Sequence, residues 1–329
     1  YSACRIKEAC GVNSELAIRI MEEVNKAVIG KKESIIKIMT AILAQGHILI
    51  DDIPGVGKTT MAMAFSRAMA LSHRRIQFTP DVMPADITGF SVYQKESERF
   101  VYQNGLVMCN LLLADEINRT SPKTQSALLE VMEEGKVTVD GVTREVPKPF
   151  IVIATQNPVG SVGTQMLPES QMDRFMICTR MGYPTLEDEV AIVKGRSSGS
   201  HLEMVQAVAD GDDLMRMQRD VETIYVHEEI YQYMGRLVQA TRKHPMIQLG
   251  VSPRGTIALA RMTKAFAYLN GRNYAIPEDV QYVAEDVMLH RLRLSTKARV
   301  NQIQPQNILH QILQEVKAPT MRRFAADRS

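Results

Sequence analysis

Tryptophan is missing from this chain, and aromatic residues make up only 5% of it. The core therefore has to be built from aliphatic side chains and methionine. Twenty methionines are present, most at helical spacing with Leu, Ile and Val, which is a core-packing pattern in which the flexible thioether fills gaps. Cysteine is scarce too. Cys4, Cys10, Cys109 and Cys178 form no C-x-x-C pair and adjoin no His-rich run, so neither a zinc site nor a disulfide framework is signalled, and a reducing cytosol suits the chain. Apolar runs fall short of the ~20 residues needed to span a bilayer. The start lacks a charged-then-apolar export pattern, so a cytoplasmic location without membrane insertion is expected. A surplus of one charge is also lacking: 39 Lys and Arg face 37 Asp and Glu, a formal charge of +2. That is not the basic footprint of a nucleic-acid binder.

What is present divides into two styles of sequence that meet near Gly182-Tyr183-Pro184, in keeping with a two-domain prior for 329 residues. Before that point, short apolar runs alternate with helix-period stretches: His47 to Asp51, Arg74 to Phe78, Leu111 to Asp115, Phe150 to Thr155 and Phe175 to Thr179. Five buried strands separated by helices predict an α/β fold with a doubly wound, mostly parallel sheet over 1–182. After Pro184 the pattern is almost entirely helical, clearest over Thr223 to Ala240, Ser252 to Asn270 and Pro277 to Leu292, which predicts an all-α domain over 183–329. Two insertions interrupt the first domain. Lys136 to Val139 and Val142 to Val146 flank Asp140-Gly141, a two-residue turn suited to a type I′ hairpin. Met83 to Val107 is a second excursion, read as a short helix with strands.

Ile48-Leu49-Ile50 runs into Asp52-Ile53-Pro54-Gly55-Val56-Gly57-Lys58-Thr59, and a helical run from Thr60 to Leu71 follows. Strand, loop and helix in that order are what a phosphate-binding loop requires. Gly55 and Gly57 let backbone N–H groups turn inward around phosphate oxygens, Pro54, Val56 and Thr60 are expected to complete the nucleotide-binding stretch, and the helix start adds donors and a positive dipole end. Lys58 is expected to reach the β and γ phosphates and Thr59 to hold Mg²⁺. Asp52 stands where the strict pattern has its first Gly, a position that begins the loop rather than touching phosphate.

Leu111 to Ala114 feeds Asp115-Glu116, an apolar strand ending in two acids. Asp115 at the strand tip is expected to meet Mg²⁺, and Glu116, one residue further, to take a proton from the attacking water. Ser121 and Pro122 are expected to cap and begin the next helix. The strand from Phe150 ends in Thr155-Gln156-Asn157-Pro158, which brings the Asn157 amide to the same edge, within reach of the γ-phosphate and water.

By this point the residues resemble the MoxR family of AAA+ ATPases. The resemblance is carried by Ile53 to Thr59, Leu113 to Arg119, Pro122 to Glu130, Ala154 to Pro158, Leu167 to Phe175 and Ser252-Pro253-Arg254, and it runs from roughly Glu22 to Leu292. It implies further roles. Arg174 matches the family's arginine finger, which enters the next subunit's ATP site, and Arg254 matches a second sensor in the helical lid, acting within its own subunit or across the interface. Ile29 and Gly30 match a segment that packs near adenine. The implied assembly is a homo-oligomeric ring, with a hexamer expected, and the implied partner is a von Willebrand factor A domain protein acting with it on a client complex.

The expected function is thus ATP hydrolysis driving chaperone-like remodelling. Three other readings share the ATP site: a nucleic-acid motor, a chelatase motor subunit, and a scaffold that binds nucleotide without hydrolysing it. The hairpin cations Lys136, Arg144 and Lys148 are offset by Asp140 and Glu145, which disfavours the first. Glu116, Asn157 and Arg174 argue against the last, since a pure binder needs none of them.

Overall fold

The computed structural model describes residues 14–53, 55–156, 167–196 and 201–320. Two helices, α1 (Glu15–Ala27) and α2 (Lys32–Leu43), precede β1 (Ile48–Asp51), and α3 (Lys58–Ala68) leads to β2 (His73–Gln77). The first insertion is α4 (Pro84–Thr88) with the antiparallel pair β3 (Gly89–Gln94) and β4 (Arg99–Asn104). Then come β5 (Leu111–Asp115), α5 (Pro122–Glu134), the hairpin β6 (Lys136–Val139) and β7 (Val142–Glu145), and β8 (Ile151–Gln156). The short α6 (Glu169–Met172) and β9 (Ile177–Thr179) complete this half.

Strands β2, β5, β8, β1 and β9 lie side by side in that order, all parallel. Every residue of β5 and β8 is buried, as continuous apolar runs covered on both faces should be. Alternation along the strands separates two cores. Leu49, Leu112, Ala114, Val152 and Ala154 face Ile87, Leu128 and Met132 of α4 and α5. Ile48, Ile50, Leu111, Leu113, Ile151 and Ile153 face Ile20, Val24 and Phe65 of α1 and α3, in a cluster that continues into the following helices. Parallel strands put all five carboxyl ends on one edge, where α/β sheets bind ligands.

The second half comprises α7 (Leu186–Arg196), α8 (Gly211–Glu222), α9 (Glu228–Lys243), β10 (Ile247–Leu249), α10 (Pro253–Leu269), α11 (Pro277–Met288), β11 (Arg293–Leu294), α12 (Thr296–Val300) and α13 (Pro305–Glu315). Two details differ from the sequence reading. β10 and β11 pair in a small antiparallel ribbon, too short to leave a periodic signal. Residues 223–227 are not helical, because Tyr225 bridges Tyr274 and His227 caps α9 by accepting the N–H of Glu229. Other local expectations match. Ser121 Oγ accepts from Thr124 N–H with Pro122 opening α5, and Asp140 and Gly141 have φ of 52° and 75°, the two positive values a type I′ turn needs.

His47, just before β1, ties the sheet to α5. Its Nδ1 accepts the N–H of Val152 at 3.0 Å, which leaves Nε2–H to donate to Met132 O at 3.0 Å. Burial pulls its pKa down to about 4. In the unfolded chain the ring titrates near ~6.5, so the unfolded state binds more protons between those values. Stability is therefore whole above about pH 6.5 and is lost as pH falls toward 4, by up to about 3 kcal/mol. His290 is depressed by burial in the same sense. His47→Gln should lower stability at neutral pH yet make urea midpoints depend less steeply on pH across that window; an unchanged slope would contradict the assignment.

Candidate active site

At the carboxyl edge, β1 opens into a loop whose Gly55 and Gly57 have φ of 86° and 94°. Side chains rarely adopt that backbone, and among the described residues no atom other than those of chain neighbours lies within 4 Å of where a Cβ would stand on either residue. The loop leads straight into the start of α3, where first-turn N–H groups and the helix dipole favour an anion. Lys58 opens α3 and is only 8% exposed; its Nζ donates to Asp52 O at 2.5 Å. Burial lowers the Lys58 pKa, and the carboxylates of Asp52, Asp115, Glu116 and Asp51 act against that. Val56, Thr59 and Thr60 are half-buried around it. Pro54 lies outside the described residues.

Asp115 is buried at the tip of β5. Its Oδ1 accepts from Thr155 Oγ1 at 3.2 Å, and its Oδ2 accepts from Arg75 Nε at 2.8 Å. Glu116 turns out of the strand in the left-handed region, with φ 56° and ψ 47°. That backbone costs on the order of 1–3 kcal/mol in a non-glycine residue and is typical of functional positions. The Glu116 N–H donates to Thr155 Oγ1 at 3.0 Å, and its Oε2 accepts from Arg119 Nη1 at 2.7 Å. Arg75 and Arg119 are 53% and 43% exposed, so solvent screens both pairs and either cation can be displaced at small cost. Asn157, the next residue after β8, lies outside the described residues.

Arg174 and Arg254 sit elsewhere. Met176 N–H donates to His47 O, just before β1, which places the turn before β9 at the amino edge of the sheet. A strand of four residues separates the two edges by about 13 Å. There Arg174 Nη1 donates to Leu129 O at 2.8 Å and pairs with Glu133 Oε2 at 3.0 Å. Arg254, in the first turn of α10 behind the Ser252 cap, pairs with the other oxygen of Glu133. One carboxylate thus holds both arginines together, on the far side of the sheet from their own phosphate loop.

The same turn is gripped by the helical half. Asp173 accepts from Ser252 Oγ at 2.8 Å and from Arg291 Nε at 2.7 Å, and Arg291 Nη2 donates to Phe175 O at 2.6 Å. Burial lowers the Arg291 pKa, and Asp173 opposes that. Neither Arg291 nor Glu133 stands out in the sequence, where each reads as one charge on a helical stretch. Ile29 is half-buried, and Gly30 has φ 75°; the Asp188 carboxyl of α7 occupies the space a Gly30 side chain would need.

Residues 47–177 match the family model described as ATPase family associated with various cellular activities (AAA), and 239–312 match the AAA lid domain. The chain is 45% identical to the uncharacterized protein YeaC of Bacillus subtilis, covering 92% of this chain and 95% of that one. It is 38% identical to the chaperone MoxR1 of Mycobacterium tuberculosis, over 92% of this chain and 82% of the relative. Among solved structures, a candidate ATPase from Cytophaga hutchinsonii superposes with a TM-score of 0.87 at 35% identity, covering 93% of this chain and 96% of that one.

Proposed function

Because the chain belongs to the MoxR family of AAA+ ATPases, we propose that it hydrolyses ATP in a ring of identical subunits and spends the energy on remodelling a protein partner. The observation that carries this reading is the meeting of Lys58, Asp115 and Glu116 around one open phosphate loop. Backbone N–H groups at Gly55, Val56 and Gly57 receive phosphate oxygens, and Thr60 lines the same end of α3. Lys58 exchanges Asp52 O for the β and γ phosphates. Among the described residues no group of three His, Cys, Asp or Glu is arranged to hold a metal alone. Thr59 and Asp115 form a partial set, which fits a Mg²⁺ that takes its remaining ligands from phosphate and water. When bound, that ion neutralises charge on the phosphates. Glu116 accepts the proton of the attacking water, and Asn157 orients that water.

The amino-edge pair completes the chemistry from outside. Arg174 and Arg254 lie too far from their own loop to touch its phosphates, so each serves the next subunit. Head-to-tail contacts of this kind give a ring when the rotation from subunit to subunit closes, which is the assembly proposed here. Tyr183, just before α7, and Leu186, Val190 and Val193 along it form an exposed apolar stripe beside the Gly30 segment that we assign to adenine. Such a stripe marks a protein contact surface and supports the assembly. We take Gly182, with φ 64°, as the pivot between a nucleotide-binding domain over 1–182 and a lid over 183–329.

The two insertions offer the client surface. Phe90, Tyr93 and Phe100 are exposed on the first, and Arg144 of the second lies over the Tyr102 ring at 4.0 Å, so the two project together. A von Willebrand factor A domain protein is the partner we expect to act with them. No helix among the described residues is long and apolar enough to cross a membrane; a cytoplasmic place of work is part of this proposal.

Phosphate release by the purified protein tests the reading: it should require Mg²⁺ and stop on chelation. Lys58→Ala removes a charge-assisted contact worth about 1.5–3 kcal/mol, so ATP binding measured by titration calorimetry should weaken by roughly 10- to 100-fold. Affinity equal to wild type would exclude Lys58 from the site. Turnover stimulated by duplex DNA, with a steep salt slope, would instead favour a nucleic-acid motor.

A further inference from the structure

Asp52 replaces the first glycine of the phosphate-loop pattern, and its φ is not positive, so the position does not need glycine. What the aspartate adds is a set of contacts that glycine cannot make. Its carboxylate is buried and acts on Lys58 through its charge. Oδ2 accepts the N–H of Met181 and the N–H of Gly182, both at 2.6 Å, and Oδ1 accepts its own neighbour's N–H, from Ile53, at 2.8 Å. The carbonyls of the same two residues are held from the other side, where Lys31 Nζ donates to Met181 O at 3.0 Å and Gly182 O at 2.8 Å. Lys31 is buried and directly follows Ile29 and Gly30. The dipeptide at the pivot is therefore clamped between the first residue of the phosphate loop and the segment assigned to adenine.

One further contact makes the clamp responsive. Lys58 Nζ donates to the main-chain oxygen of Asp52 itself. When Lys58 turns to a phosphate, the pull on that carbonyl is released, and the carboxylate on the same residue is what grips Met181 and Gly182. Charge-assisted bonds from N–H to carboxylate are short and strong, so a shift of Asp52 is carried into the pivot rather than absorbed. We infer that Asp52 is a positioning residue that couples occupancy of the phosphate loop to the angle of the lid, and so to the placement of Arg254 and Arg174, which Ser252 and Arg291 attach to that lid. This inference rests on the ATPase reading above.

The test compares wild type, Asp52→Ala and Asp52→Asn for ADP affinity, for kcat and KM of hydrolysis, and for amide exchange in the peptide spanning 179–186. Exchange is read with ADP and with a non-hydrolysable ATP analogue. In wild type, exchange at the pivot should differ by at least about threefold between the two nucleotides. In Asp52→Ala it should be fast and the same with both, with ADP affinity kept within about threefold and kcat reduced at least about tenfold. Asp52→Asn keeps one oxygen toward the pivot, so its exchange response and kcat should fall between the two; it also serves if the alanine variant fails to fold. Wild-type kcat with a normal exchange response in either variant would overturn the coupling, as would loss of ADP binding in parallel with kcat, which would make Asp52 merely part of the loop. A wild type that hydrolyses ATP with no difference at the pivot sinks this inference alone, whereas one that neither binds nor hydrolyses ATP sinks the ATPase reading.

Discussion

Glu116→Gln should bind ATP as tightly as wild type and turn it over 10²- to 10⁴-fold more slowly, an estimate of about what a positioned general base contributes. The argument is geometric. Glu116 leaves β5 in a strained backbone, beside the Asp115 carboxylate but beyond the strand, and its amide is pinned by Thr155. It lies beyond the loop of Gly55, Gly57 and Lys58 and acts on Lys58 through its charge, so binding should be largely spared. Glutamine preserves shape and removes only the ability to take a proton. The Arg119 pair is partly exposed, and its loss should have little effect on folding. Rapid-quench measurement of bound ATP against phosphate released separates the two quantities. Equal hydrolysis by the variant would remove Glu116 from the chemistry.

Arg174→Ala should be as severe in rate, a loss of about 10³ to 10⁵ if it acts as arginine fingers do elsewhere. Nucleotide affinity should barely change, because the arginine lies across the sheet from its own loop. Glu133 would still hold Arg254 after the substitution, so the lid should stay docked and the melting temperature should move little. Arg254→Ala should cost less in rate, since it leaves Arg174 in place. A fall in ATP affinity for Arg174→Ala, in a subunit kept monomeric by dilution, would mean that the side chain reaches its own site.

Much of this was readable from the residues because the signals are local. β5 falls on Leu111–Asp115 as the apolar run predicts, and Ser252-Pro253 fixes the first turn of α10 and hence the position of Arg254. The phosphate loop is a short-range pattern, and so is the Asp140-Gly141 turn. What stayed hidden depends on pairing across long stretches of chain. Glu133 meets Arg254 from 121 residues away, and Asp52 meets Met181 from 129. No periodicity or spacing reports such contacts; they exist only once parallel strands have set which ends share an edge. The separation of Arg174 and Arg254 from the phosphate loop is likewise a property of the sheet, since either arginine could be drawn beside Lys58 from sequence alone. Asn157 and Pro54 follow from motif position alone and lie outside the described residues.

The central claim is that each ATP is hydrolysed between two subunits, with Lys58, Asp115 and Glu116 on one side and Arg174 on the other. Mixing Glu116→Gln with Arg174→Ala protein tests it directly. Each is inactive alone, but at interfaces where the first donates its arginine to the second, all the groups are intact. By random assortment at equal amounts these are roughly a quarter of the interfaces in a head-to-tail ring, and phosphate release should recover toward that share. Activity no greater than the two variants measured separately, in rings shown to have exchanged subunits, would contradict a shared site.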